Sequence, residues 1–289
     1  MRYPPLSVNE LVPASAVAAP EVPAPPPLVA VAHGSSDPRA AASVATLLDL
    51  VRQRAETAGF PGLDVRAAYL GHAAPSLAQA LAALDGAGHR DREAAVLPLL
   101  LTAAYHSKAD IPGVLREART AHPRLAVSYG QPLGPHPLLL RALERRLGEV
   151  PNNGPNNGHG GVTFDPAETA VVLAAAGSSD SAAGGVISGL AGRWQARRGW
   201  RAVWPAYASA ATPTPADAVT ALRRSGARHV LVATYLLSPG IFADQIRRDC
   251  LAAGAAGVSP VLGAAPEIAD VVLGRYAETL ADGRVAAAG

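Results

Sequence analysis

The chain has 289 residues, 49% of them apolar and 17% charged, a composition that excludes wholesale disorder and leaves room for two domains of ordinary size. Its 25 basic and 23 acidic residues give a formal charge of +2, too balanced for a nucleic-acid surface. A single cysteine, Cys250, excludes an intramolecular disulfide and any thiolate-held metal cluster, so a metal would have to be met by His, Asp, Glu or carbonyl oxygens.

Residues 1–26 are rich in Pro and Ala with no helical or strand period, and read as a disordered tail. Prolines stand where a signal peptide would need an apolar helix, and no window approaches about 18 uninterrupted apolar residues. A cytoplasmic protein with no membrane span is expected.

From residue 27 the chain alternates regularly. "PLVAVAHG" reads as a buried strand ending in a Gly turn, and "DPRAAASVATLLDLVRQRAETAG" as a helix with Asp37 at its cap and Pro38 at its first position. "DVRAAYLG" predicts a second strand, "PSLAQALAALDGAG" a helix, and "REAAVLPLLLTAAYHS" a third strand with its exit loop. "KADIPGVLREARTAHP", "RLAVSYGQPLG" and "PHPLLLRALERRLGEV" add a helix, a strand and a helix. The segment "PNNGPNNGHGG", residues 151–161, is turn chemistry with nothing to bury and reads as a flexible linker. Beyond it the order repeats over 162–289, through "AVVLAAAGSSD", "WRAVWPAYASA", "RHVLVATYLLSPG" and "VSPVLGAAPE" with their helices, the last helix running to about Leu280. The expectation is two tandem α/β domains, 27–150 and 162–289, each a parallel four-stranded sheet with helices on both faces.

The two halves repeat one phrase. "LVAVAHGSSDP" begins at Leu28 and "VVLAAAGSSDS" at Val171, so Ala176 stands opposite His33. Setting Asp244 on Asp110 places Gly240 opposite His106. In an open parallel sheet ligands bind outside the carboxyl ends of the strands, and His33 and His106 end the first and third strands. If those strands are neighbours, as in flavodoxin-like sheets, both imidazoles can reach one ion. A lone loop histidine is usually solvated surface, but two on one rim, both absent from the second copy, point to chemistry needed once. "GSSD" has a plain structural reading as a turn and helix cap, which both copies would keep; the same turn presents backbone N–H groups to an anion. Neither a GxGxxG nor a P-loop pattern stands in a suitable context, so no nucleotide is expected.

"VAHGSSDP", "AYLGHAAPSLAQAL", "VLPLLLTAAYHSKADIP" and "PLGPHPLL" together resemble the sirohydrochlorin chelatase family of class II tetrapyrrole chelatases, over essentially all of 28–147, with the second half similar to a degenerate repeat. The resemblance implies insertion of a divalent metal into a carboxylate-rich, sirohydrochlorin-like tetrapyrrole, without ATP, in a cleft between two flavodoxin-like halves. It assigns the metal-site and catalytic histidines to His33 and His106. Many relatives carry an acid after the "YL" of the second strand; here that position is Gly71, followed by His72, a further candidate ligand or base.

A histidine suits this chemistry on independent grounds, because a group with a pKa of about 6.5 can both accept a pyrrolic proton and hold a metal lightly. Imidazoles do not choose among Fe²⁺, Co²⁺ and Ni²⁺. Ring carboxylates are expected to meet Ser35, Ser36 and Lys108, with Arg39 either beside them or simply solvated. Tyr105, Tyr207, Tyr235 and Trp204 lie near strand ends and could flank a flat ring, or be ordinary core. His136 reads as a helix-opening residue, and His89, His122, His159 and His229 as surface. The expected activity is a chelatase producing siroheme from Fe²⁺. Cobalt insertion and a non-catalytic tetrapyrrole or metal carrier are the alternatives. Because both halves of one chain can form the cleft, a monomer suffices.

Overall fold

A computed structural model describes residues 24–85, 92–103, 109–150 and 164–288. The linker at 151–161 and most of the N-terminal tail lie outside the described residues. The first half runs β1 (Leu28–Ala32), α1 (Pro38–Ala55), β2 (Val65–Tyr69), α2 (Leu77–Asp85), β3 (Arg92–Pro98), α3 (Ile111–Ala121), β4 (Leu125–Tyr129) and α4 (Pro137–Gly148). The second runs β5 (Thr169–Ala175), α5 (Ser181–Arg198), β6 (Ala202–Tyr207), α6 (Pro215–Arg224), β7 (His229–Tyr235), α7 (Ile241–Ala252), β8 (Gly257–Val258) and α8 (Pro266–Ala288). The closing helix thus continues past the expected Leu280.

Two parallel four-stranded sheets result, in the orders β2-β1-β3-β4 and β6-β5-β7-β8. β1 is buried along its whole length, as a strand paired on both edges and covered on both faces must be. It is registered so that Ala32 lies beside Tyr69 of β2, and Val31 beside Pro98 of β3. The loops after β1, β2 and β3 therefore leave from one rim, and β1 and β3 are neighbours as the site reading requires.

The repeat is carried by backbone chemistry. Asp37 caps α1 by accepting from the Arg39 N–H at 2.9 Å, and Asp180 caps α5 by accepting from the Ala182 N–H at 2.9 Å. Ser35 and Ser178 each accept from the backbone N–H of the following Asp at 3.1 Å. Each such cap is worth about 1 kcal/mol. His136 caps α4 through Nδ1, which accepts from the Leu138 N–H at 3.2 Å.

Side chains alternate between separate cores. Val29 and Val31 of β1 point into an outer core with α2 and α3, while Ala170, Val172 and Ala174 of β5 share a corresponding outer core with α6 and α7. The opposite faces, with Leu28 and Leu97 from one sheet and Leu173 and Leu231 from the other, belong to one continuous central core. That core is built by an exchange of helices. α8, the last helix of the chain, packs on β3 and β4 of the first sheet beside α1, whereas α4 packs on β7 of the second. Phe60 meets Tyr276 of α8 edge-on at 5.0 Å between centroids, and Arg54 of α1 bonds Asp270 of α8 at 2.6 Å. Arg145 on α4 bonds Glu267 at 2.7 Å, and the Trp194 indole N–H donates to Glu144 at 3.1 Å.

Candidate active site

The loops after β1 and β2 are zipped together beyond the strands themselves. Leu70 N–H donates to the Ala32 carbonyl at 3.1 Å and Gly71 N–H to the His33 carbonyl at 3.2 Å. Gly34 is required there, because its φ is 88° and a Cβ would run into the Gly71 carbonyl oxygen. The same construction recurs in the second half, where Ala208 and Ser209 N–H groups donate to the Ala175 and Ala176 carbonyls at 2.9 Å. Gly177, at φ 94°, lies against the Ser209 carbonyl as Gly34 lies against that of Gly71.

The zipped loops carry His33 and His72 to one cleft of about 630 Å³, within the usual range for a small-molecule site. His72 has φ 59°, and the corresponding Ala210 has φ 58°, so the second copy keeps the left-handed backbone and drops the imidazole. Both described histidines of the cleft therefore face alanine counterparts, Ala176 and Ala210. His33 Nδ1 lies 3.1 Å from the Gly34 carbonyl. A carbonyl can only accept, so in that contact Nδ1 carries the proton.

Leu99 to Thr102, leaving β3, line the cleft next to these loops. His106, Lys108 and Tyr105 follow in a segment outside the described residues. Among the described residues no three His, Cys, Asp or Glu side chains gather as a metal site. Ser35 and Ser36 do line the cleft. Ser35 Oγ is engaged in the turn, where its hydroxyl remains able to donate.

The other wall belongs to the second half: Ala176 to Ser178, Tyr207, Ser209 and the stretch from Tyr235 to Ala243. Tyr235 is 2% exposed, its hydroxyl donates to the Leu101 carbonyl at 3.1 Å, and burial pushes its pKa well above the ordinary phenol value. It works as a tie between the two strand rims. Tyr207 is likewise buried beside the cleft, while Trp204, on the edge strand β6, is exposed and does not line it. His122 is not simply surface, since it is partly buried and bonds Asp85 at 2.9 Å; His229 packs edge-on against Phe164.

One feature of the cleft carried no sequence signal. Ile241 and Phe242, an apolar pair opening α7, are 76% and 42% exposed and line the cleft. Arg39, next in the chain to the lining residue Ala40, bonds Asp37 and also Asp244, which follows the lining residue Ala243, both at 2.6 Å, and the paired carboxylates raise its already high pKa. The same guanidinium holds Asp37 below the usual carboxylate range.

Against known proteins, the CbiX family model matches residues 27–150 and 170–279. The chain belongs to the CbiX family. Among relatives of this CbiX protein, the sirohydrochlorin ferrochelatase of Bacillus subtilis is 28% identical over 192 residues, covering 65% of this chain and 69% of that one. The sirohydrochlorin cobaltochelatase of Priestia megaterium is 26% identical over 183 residues, covering 63% of this chain and 56% of the relative. The structure of SirB from Bacillus subtilis with Fe³⁺ superposes with a TM-score of 0.71 at 24% identity, over 89% of this chain and 96% of that one, which shows the shared two-sheet fold. No helix among the described residues is long and apolar enough to cross a membrane.

Proposed function

We propose that this CbiX protein inserts a divalent metal into sirohydrochlorin without ATP, with Fe²⁺ as the metal and siroheme as the product. The observation that carries this reading is one cleft flanked by both halves, in which His33 and His72 stand on one wall, Ala176 lines the other, and Ala210 holds the place of His72 in the second copy. The names of the Bacillus and Priestia relatives support the same substrate.

Metal insertion must take two protons from pyrrolic nitrogens and release a partly desolvated ion to the ring. In the proposal His33 binds the incoming ion through Nε2, or accepts a proton there, and His106 shares the task. His72 serves as a further ligand or base in place of an acid at position 71. Packing does not impose the glycine, since a Cβ at Gly71 would have nothing within 4 Å. Ser35, Ser36 and Lys108 meet ring carboxylates. Few ligands suit a site that must let its ion go, because a full tetrahedral or octahedral set would hold it. One chain supplies both walls, so a monomer in the cytoplasm suffices.

The test mixes purified protein anaerobically with sirohydrochlorin and Fe²⁺, following the absorption spectrum, with Co²⁺ in a parallel run. Acceleration with Fe²⁺, lost on His33→Ala or His106→Ala but not on His159→Ala, is the expected result. Tight tetrapyrrole binding without acceleration by either metal would make the protein a carrier and refute the enzyme reading. Faster insertion of Co²⁺ than Fe²⁺ would move it to the cobalt reaction, which the Priestia cobaltochelatase keeps in view. If His72 stands in for the acid, Gly71→Glu should restore insertion to His72→Ala.

A further inference from the structure

We propose that the first turn of α7 is the discriminating wall of the cleft: Ile241 and Phe242 take one apolar face of the macrocycle, and Arg39 takes a ring carboxylate by exchanging it for Asp244. This rests on the tetrapyrrole reading above and adds to it the residues that select the ring.

Large apolar side chains are seldom left in water beside one another without a partner. Among the described residues the exposed large hydrophobics are Ile241, Phe242, Trp204 and Leu251, and the first two are adjacent and line the cleft. They stand on the wall that has lost its histidines, across from the loops bearing His33 and His72. A flat macrocycle whose edge is charged and whose faces are apolar matches that division: one face against Ile241 and Phe242, the other toward the imidazoles.

The ion pair, whose chain neighbours Ala40 and Ala243 line the cleft, supplies the edge contact. Arg39 sits in the first turn of α1 and Asp244 in the first turn of α7, 205 residues apart in sequence. The guanidinium serves two carboxylates at once. Asp37 is committed, because it also accepts the Arg39 backbone N–H as the α1 cap. Asp244 has no such second duty: among the described residues its carboxylate is bonded by Arg39, with both components 54% and 56% exposed. Exposed pairs of this kind are weak, so a ring carboxylate offered bidentately can take Asp244's place. In the free protein Asp244 then occupies the carboxylate site, and a ring with few carboxylates is less able to displace it.

The experiment uses metal-free rings, so that binding is read apart from insertion. Dissociation constants of sirohydrochlorin, of an octacarboxylate porphyrin and of a dicarboxylate porphyrin are measured by quenching of intrinsic fluorescence. Phe242→Ala should weaken all three by about tenfold through lost apolar contact. Asp244→Asn should tighten the two octacarboxylates by about threefold, a gain that a merely structural defect would not produce, and leave the dicarboxylate nearly unchanged. Arg39→Gln should weaken the octacarboxylates, and in that background the effect of Asp244→Asn should shrink. Wild-type binding that neither Phe242→Ala nor Asp244→Asn alters, or an undiminished Asp244→Asn effect without Arg39, would overturn this inference and leave the chelatase reading standing. Failure of the wild type to bind any of the rings would overturn both.

Discussion

Replacing Gly34 with Ala tests whether the loops that carry His33 and His72 are locked together. At φ 88° an L-residue bears about 1 kcal/mol or more of backbone strain. The added Cβ would also meet the Gly71 carbonyl oxygen, and relief requires parting the two loops. Parting them breaks the Leu70–Ala32 and Gly71–His33 backbone bonds of 3.1 and 3.2 Å. Each contributes about 1 kcal/mol, so the total loss is about 3 kcal/mol. Gly59→Ala is the control, because its φ is 89° but a Cβ there would have nothing within 4 Å. It should lose only the backbone strain, about 1 kcal/mol. Urea unfolding of the two variants beside the wild type reads the difference directly, as a shift in midpoint at constant slope. Gly34→Ala should be about 2 kcal/mol less stable than Gly59→Ala, and Gly177→Ala, against the Ser209 carbonyl, should match Gly34→Ala. Equal losses at Gly34 and Gly59 would refute the interlocked-loop argument.

Tyr235→Phe removes the hydroxyl that ties the second sheet to Leu101, and should cost about 1 kcal/mol in urea unfolding, since water in the cleft can reach the vacated carbonyl. His136 gives a pH dependence: burial first, then Arg275, holds its pKa below the ordinary value of 6.5, with Glu278 opposing. The unfolded chain then binds the proton more readily, so the stability His136 contributes is complete above about pH 6.5 and is lost as pH falls through its lower folded value. His136→Asn keeps an acceptor at the α4 cap and should flatten the stability profile below about pH 6.5; an unchanged profile would show that His136 is not responsible.

Much of the fold was legible because it is written locally. Strand runs of small apolar residues, Asp37 and Asp180 as caps and glycine turns at Gly34 and Gly177 are decided within a few residues of themselves, and their repetition exposed the duplication. The same local logic placed His33 at a strand end. It found His72 only beside a missing acid, because its left-handed backbone comes from a loop closed by bonds to β1. The Ile241–Phe242 pair could not be singled out for the opposite reason: composition alone cannot tell a helix face aimed at a core from one aimed at a cleft.

By itself, then, the sequence determined two parallel sheets, their turns and the once-only histidines, since period, capping and glycine geometry act at short range. Only the tertiary structure decided how the halves are joined. α8 covers the first sheet and α4 the second, and Arg39 reaches Asp244, through contacts between residues as far as 250 apart in the chain, as for Pro26 and Tyr276. An amphipathic helix specifies that one face must be buried, while which sheet buries it is settled by shape and apolar area across the whole assembled core.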